Sequence, residues 1–103
     1  MSGHRKVERQ VAALHLKIAE RLRAGDPFPV LRARSNLSRW RERFGGTLPL
    51  AYAEWSELMD QGTEQVIRVL EADDPDSIRR RASSPFTGIL SPKERWRIIQ
   101  DAA

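Results

Sequence analysis

Glu54, Glu57, Asp60 and Glu64 recur at three- and four-residue spacing and so can share one helical face. Carboxylates grouped in this way are half of an acid-base site or half of a cation site. The other half would be a histidine or a second acidic cluster, and neither accompanies them. His4 lies near the start of the chain and His15 beside the apolar stripe of the first helix, far from these acids in sequence. No His-x-x-x-His, His-Glu-x-x-His or glycine-rich phosphate loop occurs. Gly45-Gly46 lacks the following Lys and Ser or Thr of a P-loop and reads as a helix stop. The four carboxylates are therefore expected to form a solvated or arginine-paired face, and His15 to be a helix-surface or partly buried side chain. No catalytic residue, metal ligand or cofactor is expected, and the chain is not expected to be an enzyme.

Basic and aromatic residues are the remaining groups that can do chemistry, by binding. Arg32, Arg39 and Arg43 follow one helical face, Arg34 and Arg41 an adjacent one, and Arg79-Arg80-Arg81 forms a second cluster. Guanidinium groups in rows neutralise phosphates or carboxylates, with binding that falls steeply with salt. A helix-turn-helix is not expected, because the double glycine and Leu48-Pro49 break the short turn that motif needs. Phe86, between Pro85 and Thr87, must either plug the domain's own core or be offered to a partner.

The elements that position these groups are all helical. Val7, Val11, Leu14, Ile18 and Leu22 recur every three or four residues, so Lys6 to Ala24 is expected to be an amphipathic helix ended by Gly25. Asp26-Pro27-Phe28-Pro29 is a stiff connector to a second helix from about Pro29, with Val30, Ala33, Leu37, Trp40 and Phe44 on its stripe. A third helix, with Thr47 as cap and Pro49 early in it, sets Leu50, Ala51, Trp55, Leu58 and Met59 along one side up to Gly62. Thr63 is expected to cap a fourth helix that buries Val66, Ile67 and Leu70. Asp74 and Pro75 open a short fifth helix through Arg81, and Asp76 suits its positive end. After a loop at Ser84 to Gly88, Ser91-Pro92-Lys93-Glu94 is a capping box for a last helix whose buried side is marked by Trp96 and Ile99. Trp40, Trp55 and Trp96 are all expected to be mostly buried. No alternating strand pattern occurs, so the fold is expected to be all-α, a compact single-domain bundle of five to six helices over residues 1–103, with residues 1–5 frayed.

Composition bounds the rest. At 103 residues the chain has material for one modest core, which excludes a two-domain enzyme. The lack of cysteine excludes disulfide frameworks and thiolate zinc sites. No apolar run approaches a membrane span and no apolar leader follows the first residues, so a cytoplasmic protein without membrane contact is expected. The net charge of +4 conceals three blocks: +7 over residues 1–46, −7 over residues 47–78 and +4 over residues 79–103. Such blocks either satisfy one another when the helices pack or steer a charged partner.

Ala82 to Trp96 reads Ala-Ser-Ser-Pro-Phe-Thr-Gly-Ile-Leu-Ser-Pro-Lys-Glu-Arg-Trp. This resembles a serine-proline-phenylalanine-x-glycine-x-leucine signature, followed by a glutamate-arginine pair, in a group of small bacterial proteins. That group similarly carries an arginine-rich helix ending near a tryptophan, here Arg32 to Trp40, and a tryptophan-bearing helix, here around Trp55. Proteins of this look are often encoded beside nucleotidyltransferase-like toxins. The resemblance implies an antitoxin-like protein that neutralises such a toxin by direct binding, with the toxin as its protein partner. Pro85, Phe86, Arg79, Arg80 and Arg81 are the expected partner-binding residues. The alternative is a small DNA- or RNA-binding regulator acting through Arg32, Arg39 and Arg43, together with Arg79 to Arg81. The acidic block could mimic nucleic acid, or the arginines could meet the toxin's acidic metal ligands; the sequence leaves both open.

Overall fold

The computed structural model describes residues 3–102, with side chains from residue 6 onward. Six helices follow in order: α1 (Gly3–Arg23), α2 (Phe28–Arg43), α3 (Leu50–Gln61), α4 (Thr63–Glu71), α5 (Pro75–Arg81) and α6 (Pro92–Asp101). There is no strand among the described residues, and the protein is an all-α bundle. α1 starts at Gly3 rather than Lys6; of the segment expected to fray, Met1 and Ser2 lie outside the described residues, as does the side chain of His4.

The helix ends obey local chemistry. Gly25 closes α1 at φ 86°, a left-handed conformation that glycine adopts without a Cβ penalty, and the Asp26 N–H then donates back to the Arg21 carbonyl at 3.0 Å. The Asp26 carboxylate accepts the Phe28 N–H at 3.0 Å, which turns the chain into α2. Asp74 caps α5 by accepting from the Ser77 N–H at 3.1 Å, and Ser91 and Glu94 complete a reciprocal capping box on α6. Two expected caps are corrected. α3 is preceded by Pro49, whose carbonyl accepts from Tyr52 and Ala53 N–H groups at 3.0 Å each, so Thr47 lies outside the helix. α4 is preceded by Gly62 at φ 130°, which lets it follow α3 after a single residue and makes Thr63 its first turn rather than its cap.

Ile18, Ala19 and Leu22 of α1, Ala33 and Leu37 of α2, Trp55 and Met59 of α3, and Val66, Ile67, Val69 and Leu70 of α4 pack with Phe86 and Ile89 into one buried cluster. α1 makes its most extensive contact with α4. Trp55 is fully buried; its indole N–H donates to the Arg80 carbonyl at 2.8 Å, and its ring meets Phe86 edge-on at 5.6 Å. Trp40 is half-buried, 5.1 Å from Tyr52. Trp96 corrects the expectation of three buried tryptophans: it is 65% exposed. α6 rests chiefly on α1 and covers only a narrow stripe through Ile98 and Ile99, which leaves no α6 residue fully buried. Val7, Phe44 and Leu50, at the ends of their helices, likewise overhang the core and are exposed.

Candidate functional site

The 82–91 connection crosses α2, and an asparagine fastens it there. Asn36 is 1% exposed, and its Nδ2 donates to the Pro85 carbonyl at 2.8 Å and to the Thr87 carbonyl at 3.0 Å. Its Oδ1 accepts from Arg39 Nη2, so both ends of one amide are used. Ser84 Oγ accepts the Phe86 N–H at 3.1 Å, and Arg21 Nη1 reaches the Ile89 carbonyl at 3.2 Å from α1. Gly88 adopts φ 75°, and a Cβ there would stand 3.0 Å from Arg32 Nη2, so the loop passes directly against that guanidinium. The signature segment is thus packed into the fold by α1 and α2 together.

Three of the five expected partner-binding residues, Pro85, Phe86 and Arg81, are buried by these contacts. Pro85 and Phe86 are buried, Phe86 against Trp55, so the ring plugs the core and is not a surface anchor. Arg81 is 6% exposed and donates through Nη1 to the Val69 and Ala72 carbonyls at 2.8 and 2.6 Å, which ties α5 to the end of α4. Three successive arginines on a helix point about 100° apart, and on a short helix packed on α1 and α4 one of them must face inward. Arg79 and Arg80 face outward and share Glu54, at 3.3 and 3.1 Å. Those two guanidiniums, Arg79 first, hold the Glu54 carboxyl below its usual range, which suits an ion pair and not a proton-transfer group near neutral pH.

The acidic block is largely answered from within. Besides Glu54, Asp60 pairs with Arg34 at 3.1 Å and Glu71 takes a two-point contact from Arg23 at 2.6 and 3.0 Å. Asp74 is occupied as a cap. No group of three or more histidine, cysteine or acidic side chains is placed to hold a metal ion among the described residues.

Arg32, Arg39 and Arg43 are different. All three are exposed, they follow one face of α2 with Asn36 between the first two, and none forms an ion pair among the described residues. Arg32 lies against the loop at Gly88 and Arg39 is steered by Asn36, so two of the three guanidiniums are held beside the 82–91 connection. Arg41, on the neighbouring side, instead lines a groove with Glu57 and Asp60. Exposed apolar side chains stand at both ends of the row, Phe28 and Leu31 near the start of α2 and Phe44 just past its end.

Asn36 and Arg21, the residues that fix the loop, were not visible as functional candidates in the sequence. A signal for Asn36 existed: it occupies the apolar stripe, three residues after Ala33 and four before Trp40, where a helix-disfavouring amide needs buried partners. No helix among the described residues is long and apolar enough to cross a membrane. No family model, curated protein or solved structure matches the chain.

Proposed function

We propose that the protein is an antitoxin-like binding module that neutralises a nucleotidyltransferase-type toxin by direct contact, through the Arg32, Arg39 and Arg43 face of α2. The observation that supports this reading is the imbalance of free charge. Carboxylates of the acidic block are mostly engaged by arginines of the same chain or by a helix cap, whereas no carboxylate among the described residues pairs with the α2 row. The partner that complements it is acidic, and a nucleotidyltransferase site presents clustered carboxylates that hold metal ions. Arginine pairs bidentately with such groups, and Phe44 and Leu31 supply apolar area at the rim of the contact. The resemblance of residues 81–99 supplies the partner class, and the charge map supplies the surface.

The same row also suits a phosphate backbone, with exposed Phe44 beside Arg43 as a stacking ring, which is the chemistry of the regulator alternative. The test is affinity capture at moderate salt with the wild-type chain and with Arg39→Glu/Arg43→Glu. The captured protein is then assayed for nucleotidyl transfer in the presence of each. The expected result is one stoichiometric partner, inhibited by the wild type and captured roughly 10-fold less by the variant. Recovery of nucleic acid with no stoichiometric protein would replace this reading with the regulator.

A further inference from the structure

Thr87 is exposed and lies in the non-helical 82–91 connection where it crosses α2. Its hydroxyl oxygen accepts from Asn36 Nδ2 at 3.2 Å, the longest of the three bonds that this amide nitrogen makes. Rotation about the threonine χ1 therefore frees the hydroxyl while Asn36 keeps the Pro85 and Thr87 carbonyls. Two guanidiniums flank the position. Arg39 bonds the Oδ1 of the same Asn36 amide, and Arg32 lies against Gly88, the next residue along the chain. Both arginines are exposed, and neither pairs with a carboxylate among the described residues.

Other hydroxyls lack this combination. Ser35 and Ser38 are exposed but sit inside α2, where a modifying enzyme would first have to unwind the helix. Ser84 Oγ holds the Phe86 N–H, and Ser91 caps α6. Thr47 is exposed and non-helical, but it lines a groove together with Glu57 and Asp60, so a phosphate there would meet like charge. Among these hydroxyls only that of Thr87 stands on irregular backbone between two cations that lack an anion.

We propose that Thr87 is a phosphorylation site, and that its phosphate ester is held by Arg32 and Arg39 and closes the α2 face to acidic partners. The donor is a nucleoside triphosphate carried by a protein kinase. The Thr87 oxygen attacks the γ-phosphorus and a new P–O bond forms. The bond from that phosphorus to the bridging oxygen breaks, the nucleoside diphosphate leaves with the electron pair, and the hydroxyl proton passes to a base of the kinase. The ester brings a charge of about −1.5 to −2 and three acceptor oxygens into the arginine row. Guanidiniums pair bidentately with phosphate oxygens, so the ester competes with a carboxylate surface for the same donors. The loss of partner binding rests on the α2 reading given above; the phosphate site itself does not.

The test installs phosphothreonine at position 87 of the full chain by genetic-code expansion. A 31P titration should place its second dissociation below the ordinary value of about 6, and Arg32→Ala/Arg39→Ala should restore that value. Immobilised polyglutamate serves as the carboxylate probe. The unmodified chain and Thr87→Val should be retained equally, and the phosphorylated chain should bind about 10-fold more weakly. In protein purified from the native host, trypsin releases Ala82–Lys93 as one peptide, and its fragmentation should locate a phosphoryl group on Thr87 in part of the population. Host protein without a phosphoryl group on Thr87 in both growing and starved cells overturns the proposal, as does a 31P titration that the arginine substitutions leave unchanged. Retention on polyglutamate that the phosphate does not weaken overturns the closing of the α2 face. If the unmodified chain is not retained at all, the α2 reading fails, and the titration and the host peptide alone decide the phosphate site.

Discussion

Asn36 and Pro85, 49 positions apart in sequence, are joined by a buried hydrogen bond of 2.8 Å in which the asparagine amide donates to the proline carbonyl. The same amide holds the Thr87 carbonyl, so a single side chain orders the loop that carries Phe86 into the core. Asn36→Leu removes the donor and leaves two carbonyls without it, which should destabilise the fold by roughly 2 to 4 kcal/mol. Urea unfolding measures this. Amide exchange at Phe86 to Gly88 should accelerate by more than exchange in α4. A variant as stable as the wild type, with the loop equally protected, would show that the clamp contributes nothing.

The three tryptophans should separate into distinct classes. Trp55→Ala, at a fully buried site that also bonds the Arg80 carbonyl, is expected to cost about 3 to 5 kcal/mol. Trp96→Ala, at a 65% exposed site, should stay within about 0.5 kcal/mol of the wild type. Iodide should quench a Trp96-only protein strongly and a Trp55-only protein barely, with Trp40 between them. Equal quenching of Trp55 and Trp96 would contradict the packing of α6 described above.

His15 predicts a pH dependence of definite sign. Its folded-state value is pushed down to about 4 from the ordinary 6.5, so in the interval between them the unfolded chain binds the proton and the folded one does not. Stability is therefore complete above about pH 6.5, declines as pH falls and reaches its full loss, roughly 3 kcal/mol, near pH 4. Glu54, Glu71 and Asp74 are held below their usual ranges by Arg79 and Arg80, by Arg23 and by the Ser77 cap contact, and they weaken the fold only at lower pH, as they protonate. Between pH 7 and pH 5 the wild type should lose roughly 2 kcal/mol in urea titrations, and His15→Phe should lose almost none. A variant that kept the whole slope would assign it elsewhere.

What the sequence made legible was local. Asp74-Pro75 and Ser91-Pro92 with Glu94 act within one helical turn, and each starts its helix as its spacing predicts. The site depends on contacts across long stretches of chain: Asn36 to Thr87, Arg21 to Ile89 and Trp55 to Phe86. No periodicity encodes which carbonyl a distant amide will meet. Arg79-Arg80-Arg81 shows the limit within a single element, since composition displays one cluster while the helix sends Arg81 inward and pairs the other two with Glu54. The row on α2 was legible as a row; that it stays free of carboxylates among the described residues became visible only once the acidic block had found its partners.

That freedom sets the final prediction. Arg43→Glu changes a charge that, among the described residues, touches no carboxylate and bonds no loop carbonyl, so the variant should fold within about 0.5 kcal/mol of the wild type. Arg34→Glu, which breaks the contact with Asp60 and places two carboxylates together, is the matched control: it alters charge equally on the adjacent face of α2. If the Arg32, Arg39 and Arg43 face is the binding surface, Arg43→Glu should weaken capture of an acidic protein partner roughly 10-fold while Arg34→Glu leaves capture nearly unchanged. Were the ligand a nucleic acid, removing one phosphate contact would also flatten the dependence of log affinity on log salt by about 0.9 for a duplex or about 0.7 for a single strand. A salt titration of both variants therefore distinguishes a protein carboxylate surface from a phosphate backbone. Equal losses in the two variants would mean that binding senses only net charge, and the α2 face would lose its claim to be the site.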